Sequence, residues 1–266
     1  MRRRRNVSRR ALRIFVGLVL FFLALPLAIV VPVSLSSSPY LQFPPPGFSL
    51  QWYERYLFSP DWINATVRSL EVAAATVGLT LLVAVPLAFA LVRSTFPGRA
   101  LLDRLLLTPL IVPTIITAVA IYGLFSQLKL IGSILALVVA HSILALPFAL
   151  IVLQAGFRGL DRNLETAAAG LGAGRFTIFR RIVLPQMTPS LVSAALLSFI
   201  TSFDELVVAI FLAGVNSTLP KKMFENIRTE VDPTVAAVSV LQILMICLGL
   251  LLFSRYGRGP RKRQTP

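Results

Sequence analysis

The sequence predicts an all-α integral membrane protein with six transmembrane helices and both termini in the cytoplasm. Three observations carry that expectation. Hydrophobic residues make up 56% of the 266 positions and charged residues 14%, and the mean hydropathy is +0.80, which does not describe a soluble globule. Apolar runs of about 20 residues recur, long enough to cross the hydrocarbon as helices, whereas the alternating segments of about 10 residues expected of a membrane barrel are absent. The third observation is where the charge lies. The formal charge of +15 is concentrated in four segments, Arg2 to Arg13, Arg93 to Arg104, Arg158 to Arg181 and Arg255 to Arg263, whose only acids are Asp103, Asp161 and Glu165. The alternate segments hold Arg55, Arg68, Lys129, Lys221, Lys222 and Arg228 against Glu54, Asp61, Glu225, Glu230 and Asp232. This alternation follows the positive-inside rule, so the charge is an orientation signal and nucleic-acid binding is not expected.

The first span is expected over Ala11 to Leu35, too long for a signal peptide's apolar region and therefore read as an uncleaved helix, with Pro26 and Pro32 bending or ending it. Ser36 to Asn64 is expected outside the membrane on the extracytoplasmic side. There Pro44, Pro45, Pro46 and Gly47 form a rigid turn, Ser49 is placed to cap a short helix through Leu57, and Trp52, Tyr53 and Tyr56 suit a membrane interface. The second span is Ala65 to Val92, near whose outer end Arg68 and Glu71 stand at i,i+3 and can pair. A short cytoplasmic loop follows over Arg93 to Arg104, turning at Pro97 and Gly98.

Leu105 to Leu128 is the third span and Ser133 to Gly156 the fourth; Pro109, Pro113 and Pro147 free carbonyls that protein or trapped water must satisfy. His141 has no Cys, Asp or Glu at metal-ligand spacing and reads as a packed or pore-facing side chain. Cys247 reads as a small core residue. Thr188 and Pro189 are the expected cap and first residue of a fifth span to Ala213, and Asp232 and Pro233 repeat the device for a sixth to Phe253. Six spans, an even number, agree with two cytoplasmic termini.

Two segments stand out from this scaffold. Arg158 to Gln186 is the long polar and basic stretch between apolar spans. Within it Leu164, Ala167, Ala168 and Leu171 follow i, i+3, i+4, i+7 after the cap Asp161, giving a short helix with a narrow apolar face. The run Gly170, Gly172 and Gly174 breaks it, and Phe176, Phe179 and Val183 mark a second short helix that stops at Pro185. Two such helices can lie along the bilayer or insert into a groove of a soluble partner. The other segment is Ser202-Phe203-Asp204-Glu205. Asp204 falls 16 residues after Thr188, roughly 24 Å along a continuous helix, where a carboxylate costs about 2 to 3 kcal/mol unless it meets a water-filled path or a partner. A structural pair with a cation on another helix is the alternative. An acid that lines a path suits cations.

No catalytic constellation and no phosphate-binding loop of the Gly-x-x-x-x-Gly-Lys-Ser/Thr type is present, so no enzyme activity and no cofactor or metal is expected of this chain. The sequons at Asn64 and Asn216 read as coincidental.

The segment from Glu165 to Pro185 resembles the EAA loop of binding-protein-dependent ABC importer permeases, in which Glu-Ala-Ala is followed by three residues, Gly, nine residues, Ile, one residue and Leu-Pro. With Gly172 as the motif glycine, Ala167, Ala168, Ile182, Leu184 and Pro185 fall in register. The glutamate position falls on Thr166, with Glu165 one residue early. Ser-Phe-Asp-Glu followed by Thr218, Leu219 and Pro220 is similar to the C-type permease of spermidine and putrescine importers.

The resemblance covers about residues 60 to 255. It implies a type I importer permease of the bacterial inner membrane: a basic cytoplasmic tail at 1–13, a six-helix permease domain at 14–255 with its cytoplasmic coupling loop at 157–187, and a second basic tail at 256–266. It further implies that Glu165, Thr166, Ala167, Ala168, Gly172, Ile182, Leu184 and Pro185 dock a pair of ATPase subunits on which ATP is hydrolysed. A second permease, an extracytoplasmic substrate-binding protein and a path containing Phe203, Asp204 and Glu205 complete the expectation. The solute is then a small cation such as a polyamine; an amino acid derivative or a metal complex is the alternative. A self-contained secondary transporter or channel is the rival from another class.

Overall fold

The computed structural model describes the backbone of residues 2–229 and 231–256 and the side chains of 12–229 and 231–251. Among these the regular structure is helical, apart from an isolated antiparallel bridge between Ser36 and Phe48. Four helices are long and apolar enough to span a bilayer: Leu12–Ser34, Pro60–Arg93, Ile134–Gly159 and Thr234–Leu251. Two bent pairs, Arg99–Leu110 with Thr114–Gln127 and Arg175–Gln186 with Thr188–Phe203, raise the number to six if each pair is one span. Of the two basic tails in the expected domain scheme, 1–13 has described side chains only at Leu12 and Arg13, and 256–266 lies outside the residues whose side chains are described.

The chain divides into two compact units, one built from the chain up to Ile63 together with Met223–Met245, the other from Asn64–Lys222 together with the chain from Ile246. In the first unit α1 runs over Arg2–Ser34, passing through Pro26 and Pro32 without ending at either. Its described apolar side chains from Leu12 to Leu25 are exposed, as suits a surface wetted by lipid. The chain then folds back on itself. Ser49 N donates to Leu35 O at 2.7 Å and Ser37 N to Gly47 O at 3.0 Å.

Helix α2, Gln51–Phe58, corrects two expectations. Leu50 holds the cap position, although the Ser49 hydroxyl still accepts the N–H of Gln51. Trp52 and Tyr56 are buried inside the protein, not open on its surface. The Trp52 indole donates to Ser36 O at 2.7 Å, the Tyr53 hydroxyl meets Ser34 Oγ at 2.8 Å, and Tyr56 packs edge-on to Trp62. Asp232 accepts the N–H of Thr234 at the head of α13, Thr234–Tyr256, as expected of a cap, and also pairs with Arg55 at 2.8 Å.

The second unit holds most of α3, Pro60–Arg93, then α4, Arg99–Leu107, α5, Thr114–Gln127, and α6, Ile134–Gly159. Half of the loop expected at Arg93 to Arg104 is thus helix. The third span is broken as well: a 3₁₀ turn over Thr108–Leu110 and an extended Pro113 turn the chain by 101° between α4 and α5. Helix α6 matches expectation. Ser133 caps it by accepting the N–H of Ala136, and Pro147 lies inside.

After the segment 157–187, α10 covers Thr188–Phe203 and stops ten residues short of the expected Ala213; α11, Val207–Leu212, follows a break at residues 204–206. Met187 occupies the cap position of α10 in place of Thr188, whose hydroxyl donates instead to Pro185 O. An unforeseen helix α12, Leu219–Thr229, fills the expected loop before the last span.

Small residues let the helices of this unit approach closely. Ala84, Ala88, Ala140, Ala145, Ala149 and Ala194 are all 0% exposed. One buried cluster joins α5, α6 and α11 around Ile121, Leu137, Val208 and Leu212; another joins α3, α6 and α10 around Leu150, Leu153, Phe157 and Met187. A polar thread crosses the interior, where His141 Nδ1 meets Ser202 Oγ at 2.9 Å and Ser202 Oγ donates to Thr76 Oγ1 at 3.3 Å. His141 is therefore a packed histidine, 1% exposed. Cys247, expected in the core, is exposed.

Arg68 donates to the carbonyl of Gly132 at 3.1 Å in place of the pairing expected with Glu71. Gly132 N in turn donates to Leu212 O at 2.8 Å, drawing the α5–α6 turn against the end of α11. Here Gly214 has φ +60°, and a Cβ on it would sit 3.1 Å from Gly132 Cα. Both constraints oppose any side chain. Gly214→Ala is expected to destabilise the purified protein by about 1 to 3 kcal/mol, read as a lower thermal unfolding midpoint; an unchanged midpoint would show that this contact is not needed.

Candidate functional site

The segment 157–187 is built as its residue pattern suggests, with differences that matter. Asp161 caps α7, Arg162–Gly170, its Oδ1 accepting the N–H of Asn163 at 2.9 Å. Gly172 then takes φ +83° and reverses the chain, with Ala173 N donating to Ala168 O at 3.0 Å. The second helix does not stop at Pro185. It begins as α8, Arg175–Ile178, widens into a π turn over Phe179–Val183 and closes as α9, Leu184–Gln186, before bending 71° into α10. Pro185 fits inside because it stands within the first turn of α9, where its missing N–H is not required.

This segment has an inner and an outer face. Ile178 and Val183 are buried among Leu150, Leu153, Phe157 and Met187, with Ala168, Ala173, Phe179 and Ile182 packed at the margin. Phe89 of α3 stands edge-on between Phe157, with ring centroids 5.5 Å apart, and Phe179, at 5.3 Å. The outer face is apolar and open: Leu171 is 89% and Phe176 74% exposed, and Leu164, Thr166, Ala167, Gly172 and Pro185 are exposed too. Leu184 is half-buried. Large apolar side chains held outward beside small ones fit a partner's surface better than water.

Glu165 turns the other way. Its Oε1 accepts from Arg93 Nη2 at 2.6 Å, and the Arg93 side chain, at the end of α3, is only 9% exposed. Arg162 donates to Val92 O nearby. Thr166, at the glutamate position of the motif, bonds only back into its own helix, its hydroxyl donating to Arg162 O. A further polar chain runs from Arg158 to Gln154 at 2.8 Å and from Gln154 to Asp103 at 2.7 Å, joining α6 to α4. The sequence pattern did not single out Arg93, Gln154 or Asp103. A lone Arg closing a long apolar span was the available signal for Arg93.

The second candidate region differs more from expectation. Phe203 is 3% exposed and stacks on Phe199 with ring centroids 5.4 Å apart, so it is a packing residue. Asp204 is not within a helix. It ends α10, with its side chain exposed, at the opposite end of that helix from the coupling segment. Glu205 is half-buried and its Oε1 accepts the N–H of Val208 at 2.9 Å, which caps the start of α11. The two adjacent acids thus have different surroundings, and Asp204 is the one left open.

Comparison with known proteins places this geometry. Residues 80–261 match the model of the family described as binding-protein-dependent transport system inner membrane component. The chain is 33% identical over 243 residues to the spermidine/putrescine transport system permease protein PotC of Haemophilus influenzae, covering 91% of this chain and 93% of that protein. It is 32% identical over 267 residues to the putrescine transport system permease protein PotI of Escherichia coli, covering 97% and 95%. Among solved structures it is similar in fold, with a TM-score of 0.75 at 17% identity over 94% of this chain and 96% of the other, to a bacterial ABC transporter involved in the import of the acidic polysaccharide alginate.

Among the described residues, nothing beyond its own chain neighbours lies within 4 Å of a Cβ built on Gly172, so its positive φ is what opposes substitution. Gly172→Val is expected to loosen the α7–α8 turn by about 1 to 3 kcal/mol. Amide exchange should accelerate at 171–174 while the thermal midpoint barely moves; unchanged exchange there would contradict this.

Proposed function

The chain belongs to the family of binding-protein-dependent transport system inner membrane components, and from that premise we propose that it carries a polyamine inward across the membrane. It is the permease subunit of an ABC importer, an inner-membrane component that leaves ATP hydrolysis to separate ATPase subunits. The observation that carries the polyamine reading is its identity of about one third, over more than nine tenths of each chain, to permeases named for spermidine and putrescine.

In this reading the chain pairs with a second, homologous permease and receives its solute from an extracytoplasmic binding protein. Two ATPase subunits bind the segment 157–187 on the cytoplasmic side. Thr166, Ala167, Leu171, Gly172, Phe176 and Pro185 form the docking face, and Ala168, Ile182 and Leu184 hold it to the spans. Movement of that face reaches α10 through the bend at Gln186 to Thr188, and α10 ends at Asp204. The open carboxylate of Asp204 attracts the ammonium groups of the passing cation, while Glu205 shapes the break by capping α11. Inward passage of a polycation is favoured by the membrane potential at about 2.3 kcal/mol per charge per 100 mV, and ATP-driven alternation supplies direction.

The test is ATP hydrolysis by the complex reconstituted with its ATPase and binding protein. Spermidine or putrescine should stimulate it and an anionic solute should not; stimulation by the anion alone would overturn the reading. Asp204→Asn should lower polyamine uptake about tenfold, the equivalent of about 1.4 kcal/mol, with ATPase subunits still bound. Unchanged uptake would remove Asp204 from the path.

A further inference from the structure

Helix α7 is held to the rest of the protein by few contacts. Leu164, Thr166, Ala167 and Ala169 are exposed, and Ala168 is its residue packed at the margin of the buried cluster. Against that sparse packing stands the ion pair of Glu165 with Arg93, 72 residues apart in sequence and 2.6 Å apart in space. Arg93 is the last residue of α3, a helix of 34 residues, and the adjacent carbonyl of Val92 also accepts from Arg162 of α7. The Arg93 Nε is buried without a hydrogen-bond partner, so Glu165 is the acceptor that its guanidinium has.

We infer that the Arg93–Glu165 pair is the strut that makes the ATPase-facing helix α7 move as one body with α3. The inference rests on the proposed role of 157–187 in coupling. Its physical basis is that sliding α7 past the end of α3 would leave a nearly buried guanidinium without its counter-charge, which strongly opposes separation. Aliphatic contact alone would let a short, exposed helix shift. The motif register explains the division of labour: because the acid stands at 165 and not at 166, it points at the spans, and Thr166 and Ala167 are left to face the partner. Glu165 is thus a positioning residue.

The experiment uses the full complex in proteoliposomes and reads solute imported per ATP hydrolysed. Glu165→Gln should lower that ratio about fivefold or more, and the charge exchange Arg93→Glu with Glu165→Arg should recover part of the loss. A purely structural contact would change the amount of complex, not the ratio. A second measurement leaves the pair intact: spin labels on the exposed positions of Ser94→Cys and Ala169→Cys, with Cys247→Ser, should keep one distance distribution in nucleotide-free and ATP-bound complexes. A wild-type ratio in Glu165→Gln, or labels that move apart between the two states, would overturn the strut. If Glu165→Gln fails to assemble, the label distance decides alone. If the unvaried complex imports nothing, the transport reading fails instead.

Discussion

In a bilayer every backbone N–H and C=O must find a partner within the protein, and the rest of this structure follows from how the chain meets that requirement. Uninterrupted helices satisfy it in the long spans α3 and α6. Where the helices break, at Thr108 to Pro113 and at residues 204–206, specific acceptors take over. The Thr108 carbonyl receives the N–H of Ile111, and the Glu205 carboxylate receives that of Val208. A break costs little when it is capped and much when it is not.

The second consequence is the stripe of alanines between α3, α6 and α10. Lipid is as apolar as leucine, so association of spans depends on close fit and on interhelical hydrogen bonds. Ala84, Ala88, Ala149 and Ala194 supply the fit; His141, Ser202 and Thr76 supply the bonds. This packed block carries the segment 157–187 at one end of α10 and Asp204 at the other. α6 and α10 share their core with the π turn of the segment, and such closely packed side chains have few alternative arrangements.

Much of this was legible in the sequence for physical reasons. Caps are local, so Asp161 and Asp232 could be assigned to helix starts from residue type and position, although at Ser49 and Thr188 a neighbouring residue holds the cap position. The two short helices of 157–187 were legible because charge and helical periodicity coincide with a glycine-rich turn. What was hidden depends on distant partners. Trp52 and Tyr56 carry the composition of an interfacial belt, and only the fold-back of Ser36 shows them buried. Arg68 and Glu71 have pairing distance along a helix, but the carbonyl of Gly132 wins the guanidinium. The hydropathy of the fifth span is continuous through Asp204 and Glu205 to Ala213, so its break is invisible to a window average. The inward direction of Glu165 could not be read without Arg93.

The central claim is that the segment 157–187 is the surface through which ATP hydrolysis acts on the membrane path. Cross-linking tests it most directly. In a chain whose one cysteine replaces Ala167, with Cys247→Ser, a short bifunctional reagent applied to the assembled complex is predicted to join this chain to the ATPase subunit. An active complex that yields no such adduct at Ala167, or at Leu171 treated in the same way, would contradict the claim.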